Sequence, residues 1–279
     1  MILIADSGST KTDWRILEEN RVVGQAKTIG FNPYYQDADS IANELKANLL
    51  PHCEGTVSKV FYYGTGVTND EKAGVIRDAL QQVFENCEVE AHSDVVGAAR
   101  SLCGHEAGIA CILGTGSNTC YYDGQEIAFK VDALGFWLGD EGSGGHLGKT
   151  LVLSYLHKEM PAEIREKFIK RYGALDRLEI LDKAYHQPFP NRYFASFSKF
   201  LFDNRSHPFC YRLVYDCFVQ FFDKYVCKYP NHKEVKVHVV GSVGFYYSDI
   251  LRQVANDKGV AMKNILETPI AGLTLYHTR

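Results

Sequence analysis

The chain has 279 residues, 46% of them hydrophobic, enough for one large domain or two of ordinary size. Its formal net charge is −4, and its Lys and Arg residues do not cluster, which argues against nucleic acid as a partner. No apolar run approaches the ~18 residues that span a bilayer, and Met1 leads into a strand and a polar turn rather than a signal peptide; the expectation is a cytoplasmic protein with no membrane partner.

The chain opens as a strand meander. Ile2–Ala5 reads as a buried strand, Thr12–Leu17 alternates, Glu18-Glu19-Asn20 is a turn and Val22–Lys27 is a third strand. Asp39–Leu50 has helical spacing, with Ile41, Leu45 and Leu49 on one face. Val57–Tyr63 is a strand ending at Gly64-Thr65-Gly66, and Asn69–Phe84 is a helix with Ala73, Ile76, Leu80, Val83 and Phe84 on its apolar face. A short strand at 89–92 runs into Ser93-Asp94, which can cap a helix through Val95–Leu102. The pattern then restarts. Gly108–Leu113 and Thr119–Tyr122 are strands, Asp123-Gly124 is a hairpin turn and Glu126–Lys130 is a third strand. Residues 151–226 read as mostly helical, with aromatic residues that pack a core. Val235–Val240 is a strand ending at Gly241-Ser242-Val243-Gly244, and Phe245–Lys258 is a helix. Alternating strands and helices indicate an α/β fold.

The eight cysteines include no C-x-x-C pair and sit mostly in apolar stretches, so they read as reduced core residues. The ten histidines show no H-x-x-x-H or H-E-x-x-H helix, which argues against a metal held directly by His.

Two glycine-hydroxyl turns, each entered from an apolar strand, organise this pattern. The first is Asp6-Ser7-Gly8-Ser9-Thr10-Lys11-Thr12 and the second is Gly114-Thr115-Gly116-Ser117-Asn118-Thr119. Glycine lets the backbone turn tightly and lets an anion approach the amide N–H groups. The turns lie 108 positions apart (Gly8 and Gly116), far beyond a solenoid repeat, so they suggest a duplicated domain whose halves clamp a polyphosphate.

Six segments in this order resemble the sugar-kinase, Hsp70 and actin ATPase superfamily, specifically the N-acetylglucosamine kinase branch grouped with the BadF/BadG/BcrA/BcrD-type ATPases. They are D-S-G-S-T-K-T-D-W at 6–14, S-D-V-V-G-A-A at 93–99, L-G-T-G-S-N-T at 113–119, L-G-D-E-G-S-G-G at 138–145, V-V-G-S-V-G at 239–244 and T-P-I-A-G-L at 268–273. The resemblance implies two similar ribonuclease H-like α/β domains of the actin-like ATPase fold with a cleft between them. Residues 1–107 would form the first and 108–267 the second with a helical insertion, a C-terminal helix at about 268–279 returning to the first.

The resemblance also implies roles. Gly8, Ser9, Thr10 and Lys11, with Gly114, Thr115 and Gly116, would face the phosphates of ATP, and Asp6 would hold Mg²⁺ through water. Asp94 would be the general base that takes the proton of the attacking sugar hydroxyl. Asn32, Thr115, Ser117, Asn118, Gly135 and Asp140, with Asp94, would contact the sugar, and Gly241, Ser242 and Val243 would lie along the adenosine. Read without the resemblance, Asp94 is a helix N-cap. One departure concerns the sugar pocket. Where members often read G-W-G, this chain has Ala133-Leu134-Gly135-Phe136-Trp137, with its tryptophan displaced to Trp137.

The implied reaction is Mg-ATP-dependent phosphorylation of an amino sugar, N-acetylglucosamine first, usually at the 6-hydroxyl, with glucosamine and N-acetylmuramic acid as alternatives. Homodimers are common in the family. A different class is also open, the ATPases that activate dehydratases and reductases through an iron–sulfur cluster, although these cysteines lack that arrangement.

Overall fold

The computed structural model describes residues 1–8 and 10–278. Two compact units divide the chain. The first comprises Met1–Glu106, Asp123–Ile127 and the C-terminal stretch from Thr268, and the second comprises Ala107–Tyr122 and Ala128–Glu267.

In unit 1 the meander forms as the alternation requires: β1 (Ile2–Ser7), β2 (Lys11–Glu18) and β3 (Arg21–Ile29). Glu19 and Asn20 both take positive φ, which closes the β2–β3 hairpin. Helix α1 (Ala38–Asn48) is capped by the Asp37 side chain. It leads to β4 (Lys59–Gly64), α2 (Asp70–Gln81), β5 (Glu88–Ser93) and α3 (Asp94–Cys103). The sheet order is β3-β2-β1-β4-β5. β1 pairs antiparallel with β2 and parallel with β4, so the ends of β1, β4 and β5 share one edge. Leu3, Ala5, Trp14, Val60 and Tyr62 pack with Ile41, Leu45, Ile76 and Leu80 on one face. Ile4, Leu17 and Tyr63 pack with Ile270 and Leu273 on the other.

Unit 2 repeats the plan. Its strands β6 (Gly108–Leu113), β7 (Ser117–Tyr122), β8 (Ile127–Phe129), β9 (Lys236–Val240) and β10 (Met262–Leu266) take the order β10-β9-β6-β7-β8. Reversed, this is the order of the first sheet, with β6 in the place of β1, β9 of β4 and β10 of β5. β6 again pairs antiparallel with its hairpin partner and parallel with β9. The helical insertion between β8 and β9 is α4 (Gly135–Leu138), α5 (Gly144–Leu156), α6 (Ala162–Tyr172), α7 (Arg177–Tyr185), α8 (Pro190–Ala195), α9 (Ser198–Asp203) and α10 (Pro208–Lys224). Its aromatics are core, as the spacing indicates: Phe168, Phe200, Phe218, Phe221 and Phe222 are fully buried.

Three features depart from the sequence expectations. The stretch 245–258 is two helices, α11 (Ser242–Tyr246) and α12 (Ser248–Asp257), broken at the buried Tyr247. The strand β10 carries too much polarity (Lys263, Asn264) to stand out in sequence. Ser93, not Asp94, holds the N-cap position of α3 and makes no side-chain cap hydrogen bond, so Asp94 is the first helical residue. The last helix, α13 (Ile270–Thr278), packs on α3 and β1. Among the described residues no helix is long and apolar enough to cross a membrane.

Candidate active site

In unit 1, the first glycine turn joins β1 to β2. Gly8 N donates to Lys11 O at 2.9 Å, closing the turn. Below it the buried Ser7 and Thr12 hydroxyls pair at 2.8 Å, and Ser7 Oγ accepts from Phe31 N at 3.1 Å. Thr10 and Lys11 are exposed, and Lys11 Nζ lies 2.7 Å from Asp13 Oδ2. Ser9 lies outside the described residues. Asp6 and Asp13 face each other across the β1–β2 pair. Burial, then the carboxylates of Asp13 and Asp94, push the Asp6 pKa up to about 7, against the pull of Lys11. Such a cluster of like charges is relieved by a cation. Among the described residues, no group of three or more His, Cys, Asp or Glu side chains stands close enough to ligate a metal ion directly. The neighbouring carboxylates of Asp6 and Asp13 are hard oxygen donors of the kind that suit a hydrated Mg²⁺, which keeps several waters and is met by one or two carboxylates.

Asp94 begins α3 at the end of β5, and its Oδ2 accepts from Thr65 Oγ1 at 3.1 Å. A carboxylate in the first turn of a helix is favoured by the helix dipole. Two close approaches fix the helix beneath it. A Cβ at Gly97 would meet Tyr63 Cβ at 2.8 Å, and one at Gly272 of α13 would meet Ser101 O at 2.3 Å. Asn32 lies on the loop after β3. Its Oδ1 accepts from Tyr34 N at 3.0 Å and occupies the space a Cβ on Gly66 would need.

In unit 2, the two glycines of the second turn stand in different surroundings. At Gly114, no atom of the described residues beyond its chain neighbours lies within 4 Å of a Cβ position. A Cβ on Gly116 would meet Asp140 Oδ2 at 2.9 Å. Asp140 Oδ1 accepts from Ser117 N at 3.2 Å. Burial, reinforced by neighbouring Glu141, raises the Asp140 pKa, while the Ser117 N–H opposes the rise. Asp140 reaches the turn from a strained segment, with φ of 59° at Asp140 and 75° at Gly142. Glu141 anchors that segment. Its carboxylate is buried, Lys224 Nζ donates to Oε1, and Tyr225 OH donates to Oε2 at 2.8 Å. Thr115 is exposed, and Asn118 Oδ1 accepts from Thr119 N at 3.0 Å. Gly144 N and Gly145 N, at the start of α5, donate to Gly114 O and Thr115 O at 2.8 and 3.0 Å, holding the turn from behind.

Gly135 takes φ of 71° at the start of α4, where Trp137 is 51% exposed and stacks on Tyr185 at 5.3 Å. Gly241, with φ of 124°, is glycine for a reason the sequence did not show: a Cβ there would meet Leu113 O at 2.3 Å. Beyond it, Ser242 and Val243 line a cavity of about 430 Å³ with Ser198, Phe202, Tyr246 and Tyr247. Sequence reasoning named neither Thr65 nor Glu141 as a site residue. Their signal is only position: Thr65 directly follows the strand beside β1, and Glu141 adjoins Asp140.

Two sheets of one strand order, each with a glycine turn after its first strand, define the fold of the actin-like ATPases and sugar kinases. No family model matches the chain, and no curated protein matches it by sequence. Solved structures do. A proposed N-acetylglucosamine kinase from Porphyromonas gingivalis is 41% identical, with a TM-score of 0.93, over 100% of this chain and 99% of its own. A proposed N-acetylglucosamine kinase from Chromobacterium violaceum shares the fold at 17% identity and a TM-score of 0.75, covering 99% of this chain and 98% of its own. So does a ROK family glucokinase from Streptomyces griseus, solved with glucose and AMPPNP, at 16% identity and a TM-score of 0.54 over 99% and 97%. The chain belongs to the family of the Porphyromonas gingivalis protein and is an ATP-dependent sugar kinase.

Proposed function

We propose that this kinase phosphorylates N-acetylglucosamine at its 6-hydroxyl, in the branch grouped with the BadF/BadG/BcrA/BcrD-type ATPases, in the cytoplasm. The observation that carries the reading is Asp94, a carboxylate on the first turn of α3, held by Thr65 beside the first glycine turn. The 41% identity to a proposed N-acetylglucosamine kinase supports the choice of sugar.

Phosphoryl transfer depends on positioning and charge neutralisation more than on covalent chemistry. From unit 1 we assign Asp94 to take the proton of the attacking hydroxyl, Gly8, Thr10 and Lys11 to the phosphates, and Asn32 to the sugar. Asp6 would hold the hydrated Mg²⁺, which when bound supplies positive charge to the phosphate oxygens. From unit 2 we assign Gly114, Thr115 and Gly116 to the phosphates, and Asp140, Ser117, Asn118 and Gly135 to the sugar. The cavity lined by Ser242 and Val243 has aromatic walls in Phe202 and Tyr246 and suits adenine. Gly241 acts there by letting α11 start against Leu113.

The test is Mg-ATP turnover against N-acetylglucosamine, glucosamine, N-acetylmuramic acid, glucose and N-acetylmannosamine. ADP release that depends on N-acetylglucosamine, with a 6-phosphate product by NMR, is expected. Preference for another sugar would replace the substrate, and ATP hydrolysis indifferent to every sugar would overturn the reading.

A further inference from the structure

The turn that follows β4 brings three candidate elements of unit 1 together. Thr65 N donates to Ser7 O at 3.0 Å, tying the turn to the end of β1, where the first glycine turn begins. Thr65 Oγ1 donates to Asp94 Oδ2 at 3.1 Å. The next residue, Gly66, takes φ of 85°, and the space its Cβ would fill is occupied by Asn32 Oδ1. Its neighbour Tyr34 OH bonds Thr68 Oγ1 at 2.8 Å, closing the Asn32 loop onto the same segment. One short turn thus touches the phosphate turn through its backbone, the carboxylate of Asp94 through its hydroxyl, and the Asn32 loop through its glycine.

Threonine suits this position. A β-branched side chain has restricted χ1 freedom, so a hydroxyl on an anchored backbone stays where it is put. A hydroxyl on one carboxylate oxygen also fixes the plane of that carboxylate, and with it the direction of the remaining lone pairs. In the duplicated half the strand register puts Gly241 at the place of Gly64 and Ser242, again a hydroxyl residue, at the place of Thr65.

We propose that Thr65 is a positioning residue for phosphoryl transfer, its hydroxyl orienting the Asp94 carboxylate relative to the first glycine turn. This rests on the reading of Asp94 as the base. The experiment compares Thr65→Val, which is isosteric and lacks the hydroxyl, Thr65→Ala, Thr65→Ser and Asp94→Asn in steady-state kinetics with N-acetylglucosamine and Mg-ATP, alongside thermal melts. Expected is a fall in kcat of about 10- to 100-fold for Thr65→Val, the scale of one hydrogen bond to a charged group. Both KM values should stay within about threefold, since orientation of the base is a transition-state effect. Thr65→Ser should recover most of kcat, and Thr65→Ala reads the same way if the valine variant does not fold. Full activity in Thr65→Val, no recovery in Thr65→Ser, or a kcat loss matched by a lower melting temperature and raised KM values would overturn the role. An Asp94→Asn enzyme that keeps a tenth of kcat removes the base and the inference together. An inactive Asp94→Asn beside an unimpaired Thr65→Val removes the inference alone.

Discussion

Asp94 and Asp140 are the two carboxylates assigned to the sugar, and the two units hold them differently. Asp94 sits on a regular helix, bonded to a threonine hydroxyl, and its place is set by where that helix lies against β4 and α13. Asp140 sits on a left-handed residue in a glycine-rich loop, bonded to the backbone of Ser117 and anchored through Glu141 to α10. A rigid helix with an anchored hydroxyl suits the role proposed for Asp94, accepting a proton in one direction. A strained loop pinned through the buried Glu141 carboxylate suits a group that only has to present acceptors at a fixed point.

Substitution of each carboxylate breaks or sharpens this contrast most strongly. Asp94→Asn should lower kcat by about 10³-fold, within the range for loss of a general base, while sugar affinity stays within about tenfold. Asp140→Ala should instead raise the sugar KM by about 10- to 100-fold with a smaller change in kcat. Equal losses of kcat and affinity in both variants would erase the distinction.

Packing gives the next effect in size. Gly272→Val places side-chain atoms against Ser101 O and should destabilise by about 1–3 kcal/mol in urea unfolding. It should also lower kcat, because α3 carries Asp94. Unchanged kcat in a folded Gly272→Val enzyme would show that α13 does not set the position of Asp94.

The effect that is smallest at neutral pH is a pH dependence in unit 1. His277 Nε2 bonds Tyr63 OH at 2.8 Å and its ring stacks on Phe61 at 3.7 Å. Burial, then the charge of Arg100, pushes its pKa down to about 4 from an ordinary 6.5. The unfolded chain therefore binds this proton at a higher pH than the folded one. The stabilisation is present in full above pH 6.5 and is lost as pH falls towards 4, with a slope of at most about 1.4 kcal/mol per pH unit from this group. His277→Gln should flatten the melting-temperature profile in that window. An equally steep profile in the variant would assign the loss to other groups.

The repeat of sheet and glycine turn was legible because glycines and buried strands leave strong local marks. The counterpart of β5, β10, was not legible, because Lys263 and Asn264 blurred its pattern. What could not be read was every contact that joins distant positions. Ser117 meets Asp140 across 23 positions and Thr65 meets Asp94 across 29. The reason for Gly241 lay in the backbone of Leu113, and Gly97 and Gly272 were motif letters until their neighbours Tyr63 and Ser101 were in place. The break at Tyr247 was hidden because a buried aromatic residue fits a continuous helical pattern as well as it fits a break.

The chain has two tryptophans. Trp14 is fully buried in the first sheet, its Nε1 bonded to Thr28 Oγ1 at 3.0 Å, whereas Trp137 stands half in solvent on Tyr185, three residues before Asp140. The protein thus carries its own pair of optical reporters: a shielded, blue-emitting indole in one unit and a quencher-accessible, red-emitting one beside the Asp140 loop. Acrylamide separates them, so the sugar contact proposed for that loop can be tested by light without a label.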